Sequence, residues 1–122
     1  MITIEQLKEV KERTESLNRY LDIDGKKMQY EEEQLRTQDP GFWEDAKRAE
    51  AQMKLVKGLE KWIKGYAAVE TLASELETAY EFFREELVSE AEVDELYARA
   101  LTALEDLELK NMLREEADNM DC

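Results

Sequence analysis

DPGFWEDAKRAE, residues 39–50, is the stretch that decides how this chain folds, because it interrupts a sequence that otherwise favours continuous helix. It contains the only proline of the chain and one of its four glycines. Pro40 and Gly41 occupy the second and third positions of a predicted type II β-turn, since proline presets φ at about −60° and glycine accepts the positive φ that follows. The stretch therefore predicts a reversal of chain direction, with a helix on either side.

The residues after this turn predict a new helix and a covered end of the bundle. Asp45 is suited to cap the first turn of that helix, because an aspartate side chain accepts hydrogen bonds from free backbone N–H groups. An aromatic residue just before a cap can pack against the first helical turn as a hydrophobic staple. We therefore predict that Pro40, Gly41, Phe42 and Trp43 form a structural plug at the bundle end, with Trp43 buried.

Apolar residues recur at steps of three and four on both sides of the turn, which is typical of helices. Thr3 with Gln6, and Ser89 with Glu92, have the spacing of a capping box at a helix start. The segment DIDG at 22–25 combines capping aspartates with a glycine and predicts a break in the first helical run. These signals predict four helices, at about 4–21, 25–37, 45–87 and 90–114.

The third helix dominates the predicted fold. At 1.5 Å per residue it is about 65 Å long, so it needs partners along its whole length. The fourth helix, placed antiparallel to it by a short connection, reaches only its C-terminal half, and the first two helices are expected to cover the other half. The second helix is the weaker of these, with Met28 and Leu35 as its apolar residues. The predicted fold class is all-α: a single domain over 1–122, forming an elongated antiparallel, coiled-coil-like bundle with one long central helix.

Composition limits the chemistry that the chain can perform. Charged residues make up 39% of its 122 residues, and the formal net charge is −14. The sequence has no histidine, and its one cysteine is the last residue, Cys122. We therefore expect no catalytic, metal-binding or cofactor-binding residues and no enzymatic activity of its own. The sequence shows neither a secretory signal nor a long apolar run, so we expect a cytoplasmic protein without a membrane partner.

A basic stripe on the third helix stands out against this acidic background. Residues 65–122 carry 17 acidic and 4 basic side chains, whereas the first half of the chain is nearly balanced. The stripe has three interpretations: contact with RNA phosphates, a solvated helix face, or ion pairing with the acidic end REEADNMD at 114–121. We favour ion pairing, because an antiparallel hairpin brings that end opposite the stripe, and we expect no direct nucleic-acid binding by the isolated domain. The stripe consists of Lys54, Lys57, Lys61 and Lys64.

Three stretches together resemble a known family: RYLDIDGKK (19–27), DPGFWEDAKRAE (39–50) and LELKNMLREEADNMDC (107–122). The chain is similar to the N-terminal helical domain of the bacterial class I peptide chain release factors. The Asp-Pro-x-Phe-Trp element is typical of the release factor 2 branch. The resemblance spans the whole chain, although residues 51–106 are generic heptad sequence. Ala46 departs from the pattern, because many relatives have proline there.

The resemblance implies a fragment of a longer factor. In that family, a Ser-Pro-Phe tripeptide reads the stop codons UGA and UAA, and a Gly-Gly-Gln loop promotes hydrolysis of peptidyl-tRNA. Neither tripeptide occurs in this sequence. The implied role is therefore accessory, with the ribosome near its stalk base and the release-factor GTPase that recycles the factor as partners. The residues by themselves leave one alternative, a structural coiled-coil adaptor or tether with no ribosomal role.

Overall fold

The computed structural model describes the backbone of residues 1–120 and the side chains of residues 1–114. The described part is all-α, as the sequence predicted, and contains no β-strand. Its elements are α1 (Ile4–Leu21), α2 (Ile23–Arg36), a single 3₁₀ turn (Phe42–Glu44), α3 (Ala46–Arg84) and α4 (Glu90–Met120). The long central helix α3 has 39 residues and is therefore about 58 Å long.

The start of α1 is defined by the predicted capping box. The Gln6 backbone N–H donates to the Thr3 hydroxyl at 3.2 Å, and the Thr3 N–H donates to Oε1 of Gln6 at 2.8 Å. These two bonds satisfy backbone donors that the first helical turn leaves without partners. Capping here depends only on residues three apart, so sequence spacing was enough to predict it.

The predicted break between the first two helices lies at Asp22. Its φ of 50° and ψ of 57° place it in the left-handed region, where the chain leaves α1 and enters α2. The Asp22 carboxylate accepts the Gly25 N–H at 3.4 Å and so caps α2. Gly25 itself lies inside α2, and α2 therefore begins two residues before the predicted start.

Helices α1 and α2 follow one another along α3 and run antiparallel to it, while α4 packs antiparallel to α3 from the other end. Long-range ion pairs show this order. The Met1 amino group lies 2.8 Å from Glu90, and Lys11 Nζ lies 3.0 Å from Glu77 Oε1. The prediction that the first helix covers the N-terminal half of α3 is wrong, because α1 and α4 both pack on the C-terminal half. Helix α2 alone pairs with the beginning of α3.

The core lies where α1, α3 and α4 meet. Its side chains are contributed by all three helices at helical spacing, which gives one continuous apolar seam. The outer face of α2 does not join it: Met28 is 66% exposed and Leu35 is 64% exposed. Met28 and Leu35, the apolar residues named for the second helix, therefore lie outside the core. The residues with no exposed area are Leu21, Leu76, Val93, Ala100 and Leu104.

Helix α3 ends at Arg84, three residues before its predicted end, in a Schellman motif. The Leu87 N–H donates to the Phe82 carbonyl at 2.8 Å, and the Glu86 N–H donates to the Phe83 carbonyl at 2.9 Å. Glu86 adopts a φ of 63°, a conformation for which glycine is the usual choice. Leu87 is 66% exposed and takes no part in the predicted apolar stripe.

We expect Glu86→Gly to stabilise the protein by about 1 kcal/mol, because a side chain in the left-handed region costs about that much. Urea denaturation followed by circular dichroism measures the change. Glu85→Gly is the matched control, because Glu85 has a φ of −92° and gains nothing from glycine. We expect the control to lose about 0.5 kcal/mol through the greater entropy of the unfolded chain. Equal effects of the two changes would contradict the prediction.

Among the described residues, no helix combines the length and the apolar character that crossing a lipid bilayer requires.

Candidate functional site

The turn at residues 39–42 is the feature that separates α2 from α3. The Phe42 N–H donates to the Asp39 carbonyl at 3.0 Å and closes the turn. Gly41 has φ −76° and ψ −12°, so the prediction of a type II turn is wrong and the geometry is that of type I. The physical reason lies in Asp39, whose Oδ1 accepts the Gly41 N–H at 3.0 Å. This bond needs the Gly41 N–H on the side that a type I turn provides.

Asp45 begins α3 as predicted. Its carboxylate accepts two backbone N–H groups, from Lys47 at 3.1 Å and from Arg48 at 3.2 Å. A negative charge at a helix N-terminus also interacts favourably with the helix dipole. The turn and the first turn of the long helix are therefore held by hydrogen bonds that backbone N–H groups donate to two aspartates.

Phe42 and Trp43 do not plug the bundle. Their rings meet edge to face, with centroids 4.8 Å apart and planes at 90°. Trp43 is 60% exposed, so the prediction that it is buried is wrong. In a 3₁₀ turn consecutive side chains point about 120° apart, so both rings cannot face the bundle. Phe42 lines a cleft beside the turn, and Trp43 lies at the surface.

This cleft, which we call the turn cleft, has a volume of about 610 Å³. Beside it, the Glu33 side chain is only 10% exposed and accepts a hydrogen bond from the Gln52 amide. Gln52 also donates to the Glu33 carbonyl at 3.1 Å, and Arg36 lies 3.5 Å from the Glu33 carboxylate. These contacts tie α2 to α3 and compensate the nearly buried charge. The cleft is lined by Arg36, Asp39, Gly41, Phe42, Glu44, Asp45, Arg48 and Gln52.

The predicted lysine stripe lies on the exposed outer face of α3. Lys54 pairs with Glu50 at 3.8 Å, and Lys64 pairs with Glu60, each one turn back on the same helix. The hydrogen bond that Lys64 donates to the Glu60 carboxylate raises the pKa of Lys64 above its ordinary value. Among the described side chains, Lys57 and Lys61 have no ion-pair partner.

The acids that we predicted to pair with this stripe, Glu115, Glu116 and Asp118, lie outside the residues whose side chains the structure describes. Pairing across the hairpin therefore stays a prediction.

Sequence reasoning missed a second cleft, of about 370 Å³, between α3 and α4. Trp62 forms one wall, and the Arg114 guanidinium lies 5.4 Å from the centre of its ring. Arg114 also donates to the Asn111 side chain at 3.0 Å, and Asn111 is buried at a position where the stripe of α4 would otherwise be apolar. The only sequence signal was Asn111 itself, four residues after Leu107 on the core face.

No group of three or more histidine, cysteine, aspartate or glutamate side chains in the described part is arranged to hold a metal ion. The candidates for function among the described residues are two surfaces: the turn with its cleft, and the lysine stripe of α3.

Comparison of the sequence with known proteins places the chain in a family. The sequence profile of the PCRF domain matches residues 26–122, which includes most of α2, the turn and both long helices. The chain belongs to the PCRF domain family. Peptide chain release factor 2 of Tolumonas auensis (strain DSM 9187 / NBRC 110442 / TA 4) is 37% identical over 127 residues, covering 98% of this chain and 33% of that protein.

Two further relatives support the same placement of this PCRF-domain chain. Peptide chain release factor 2 of Aeromonas salmonicida (strain A449) is 35% identical, over 98% of this chain and 33% of its own length. The protein of that name from Acidovorax sp. (strain JS42) is 32% identical, over 95% of this chain and 32% of its own length. The PCRF-domain chain thus spans about a third of the length of the relatives it matches. Both the turn and the lysine stripe lie inside the matched region.

Proposed function

We propose that this chain is the N-terminal accessory domain of a peptide chain release factor and acts in translation termination on the ribosome. The observation that carries the proposal is the similarity to release factor 2 over 95–98% of the chain. A similarity restricted to heptad positions would support only a coiled coil. Here the profile match also includes the turn, which a generic helical hairpin does not need.

In this proposal the domain is a stiff arm and performs no chemistry. Helix α3 is about 58 Å long and is packed by other helices along both halves, so it can hold a contact surface far from the rest of a factor. Stop-codon reading, for UGA and UAA, and hydrolysis of peptidyl-tRNA belong to other parts of the full-length factor. The domain contributes contacts near the ribosomal stalk base and to the recycling GTPase, in the cytoplasm.

A chimera tests the proposal directly. This chain replaces the aligned segment of the Tolumonas auensis release factor 2, and peptide release is measured on ribosomes programmed with UGA, with and without the GTPase. We expect single-turnover release and GTPase-dependent turnover within about threefold of the parent, a difference of about 0.7 kcal/mol. As the control, an unrelated antiparallel helical hairpin of the same length is inserted at that place. Equal turnover of both chimeras would show that the domain is only a spacer or tether, and the proposal would be wrong.

A further inference from the structure

The turn presents an aromatic side chain in a way that core packing does not explain. Trp43 is 60% exposed, although it neighbours the half-buried Phe42 in sequence. The edge-to-face contact with Phe42 holds the indole, and the hydrogen bonds of Asp39 and Asp45 hold the backbone on either side. A large ring on a rigid turn loses little conformational entropy on binding, so it is suited to contact a partner.

The first part of α3, which follows the turn in the chain, is more basic than the composition of the chain suggests. The turn cleft itself carries both charges, with two arginines and the carboxylates of Asp39, Glu44 and Asp45. Residues 47–64 carry six basic side chains and two acidic ones, a net charge of +4 in a chain of −14. The excess of acid therefore lies elsewhere in the chain.

The basic side chains of α3 also share one direction. At 100° per residue, the five lysines between 47 and 64 fall within an arc of about 100° on the face opposite Val56 and Leu59. All five are exposed, and the two for which the structure shows a partner pair only within α3. A row of cations thus begins at the turn and runs along the helix. These lysines are Lys47, Lys54, Lys57, Lys61 and Lys64.

We propose that the turn and the lysine face of α3 form a binding surface for single-stranded RNA. One unpaired base stacks on Trp43, and phosphates contact the lysine row. An open aromatic ring joined to a basic track is the arrangement by which proteins bind single strands. An acidic protein partner would also bind the lysines, but it has no base that stacks on the exposed face of an indole.

This inference replaces our expectation that the isolated domain does not bind nucleic acid. That expectation depended on the acidic composition of the chain and on lysines paired across the hairpin. The excess of acid lies outside residues 47–64, and the pairing involves side chains outside the described part. The inference rests on the proposed function only for the source of the RNA, which is ribosomal RNA.

The test measures binding of a fluorescein-labelled, unstructured 12-nucleotide RNA to the chain by fluorescence anisotropy at several salt concentrations. We expect Trp43→Ala to weaken binding roughly tenfold. Lys54→Gln with Lys57→Gln should make the dependence of log K on log salt shallower by roughly 1.4, because each phosphate contact on a single strand contributes about 0.7. Trp62→Phe is the matched tryptophan control and should leave the affinity unchanged. Circular dichroism of each variant checks that the helices are intact.

Several outcomes would overturn the inference. One is the absence of RNA binding at low salt, and another is an equal affinity of the parent chain and Trp43→Ala. A third is competition by polyglutamate as strong as that by unlabelled RNA, which would assign the surface to an acidic protein. The chimera experiment is independent of these results. An active chimera made from a chain that binds no RNA would contradict this inference alone, and an inactive chimera made from a chain that binds RNA would contradict the proposed function alone.

Discussion

Replacing Leu76 with alanine is expected to lower the free energy of unfolding by about 3 to 4 kcal/mol. Leu76 has no exposed area and lies near the middle of the seam that joins α1, α3 and α4. Removing its branched end leaves a cavity between three helices whose spacing is set by their other contacts. The cavity therefore adds to the lost burial energy instead of collapsing.

Leu87→Ala is the matched control for this prediction. Leu87 is the same residue type, but it is 66% exposed beyond the end of α3, so its replacement should change stability by less than about 0.5 kcal/mol. Urea denaturation, followed by circular dichroism at 222 nm as a measure of helix, gives both values from the same transition. A loss below about 1 kcal/mol for Leu76→Ala would mean that the three helices do not share one core.

Removing the aligned domain from the Tolumonas auensis release factor 2 is expected to lower GTPase-dependent turnover by at least roughly tenfold, which corresponds to about 1.4 kcal/mol. A second contact to the ribosome raises the effective concentration of the factor at its site, and an arm of about 58 Å can reach such a contact. Single-turnover peptide release should stay within about threefold, because no chemistry is assigned to this domain.

Two assays separate these effects. Single-turnover release with excess factor reports the chemistry, and multiple turnover with the GTPase reports recycling. The control is the deleted factor supplied with this chain as a separate polypeptide, which should not restore turnover, because the contact is no longer tethered. Unchanged turnover after deletion would contradict the accessory role. Loss of single-turnover release would show that the domain is needed for the chemistry itself.

The starts of α1, α3 and α4 could be predicted because capping is local. Thr3 and Asp45 each bond to backbone N–H groups within three residues, and the Ser89 hydroxyl accepts the Glu92 N–H at 3.3 Å in the same way. Each bond depends on residue type and spacing alone, whatever packs against the helix. The apolar steps of three and four that predicted helical structure are local in the same sense.

The end of α3 and the type of the β-turn were predicted less well. The turn follows the Asp39 side chain, which bonds to the Gly41 N–H and selects type I over the type II geometry that Pro-Gly suggested. Helix α3 ends at Arg84, although the sequence spacing of its apolar residues extends to Leu87. It ends there because Glu86 takes a positive φ, a conformation that is seldom expected of glutamate. In both places the conformation of one residue departed from the average preference of its residue type. At the turn the departure comes from a side-chain hydrogen bond, and at the end of α3 it is a positive φ.

The candidate site could be predicted only in part. The sequence identified the lysine row and the unusual turn, but it assigned Trp43 to the core. Hydrophobicity alone does not distinguish a ring that packs inward from one that is presented to a partner. The cleft at Trp62 and Arg114 joins residues 52 positions apart, so no local pattern could indicate it.

The sequence by itself determined that this chain is helical, where three of its four helices start, and that the chain reverses near Pro40. These properties depend on interactions within a few residues. Only the tertiary structure decided that α1 shares the C-terminal half of α3 with α4, that Met28 and Leu35 lie outside the core, and that Trp43 is exposed. Each of these depends on which helices meet. That choice is made by the summed packing of distant side chains, and no single stretch of the chain specifies it.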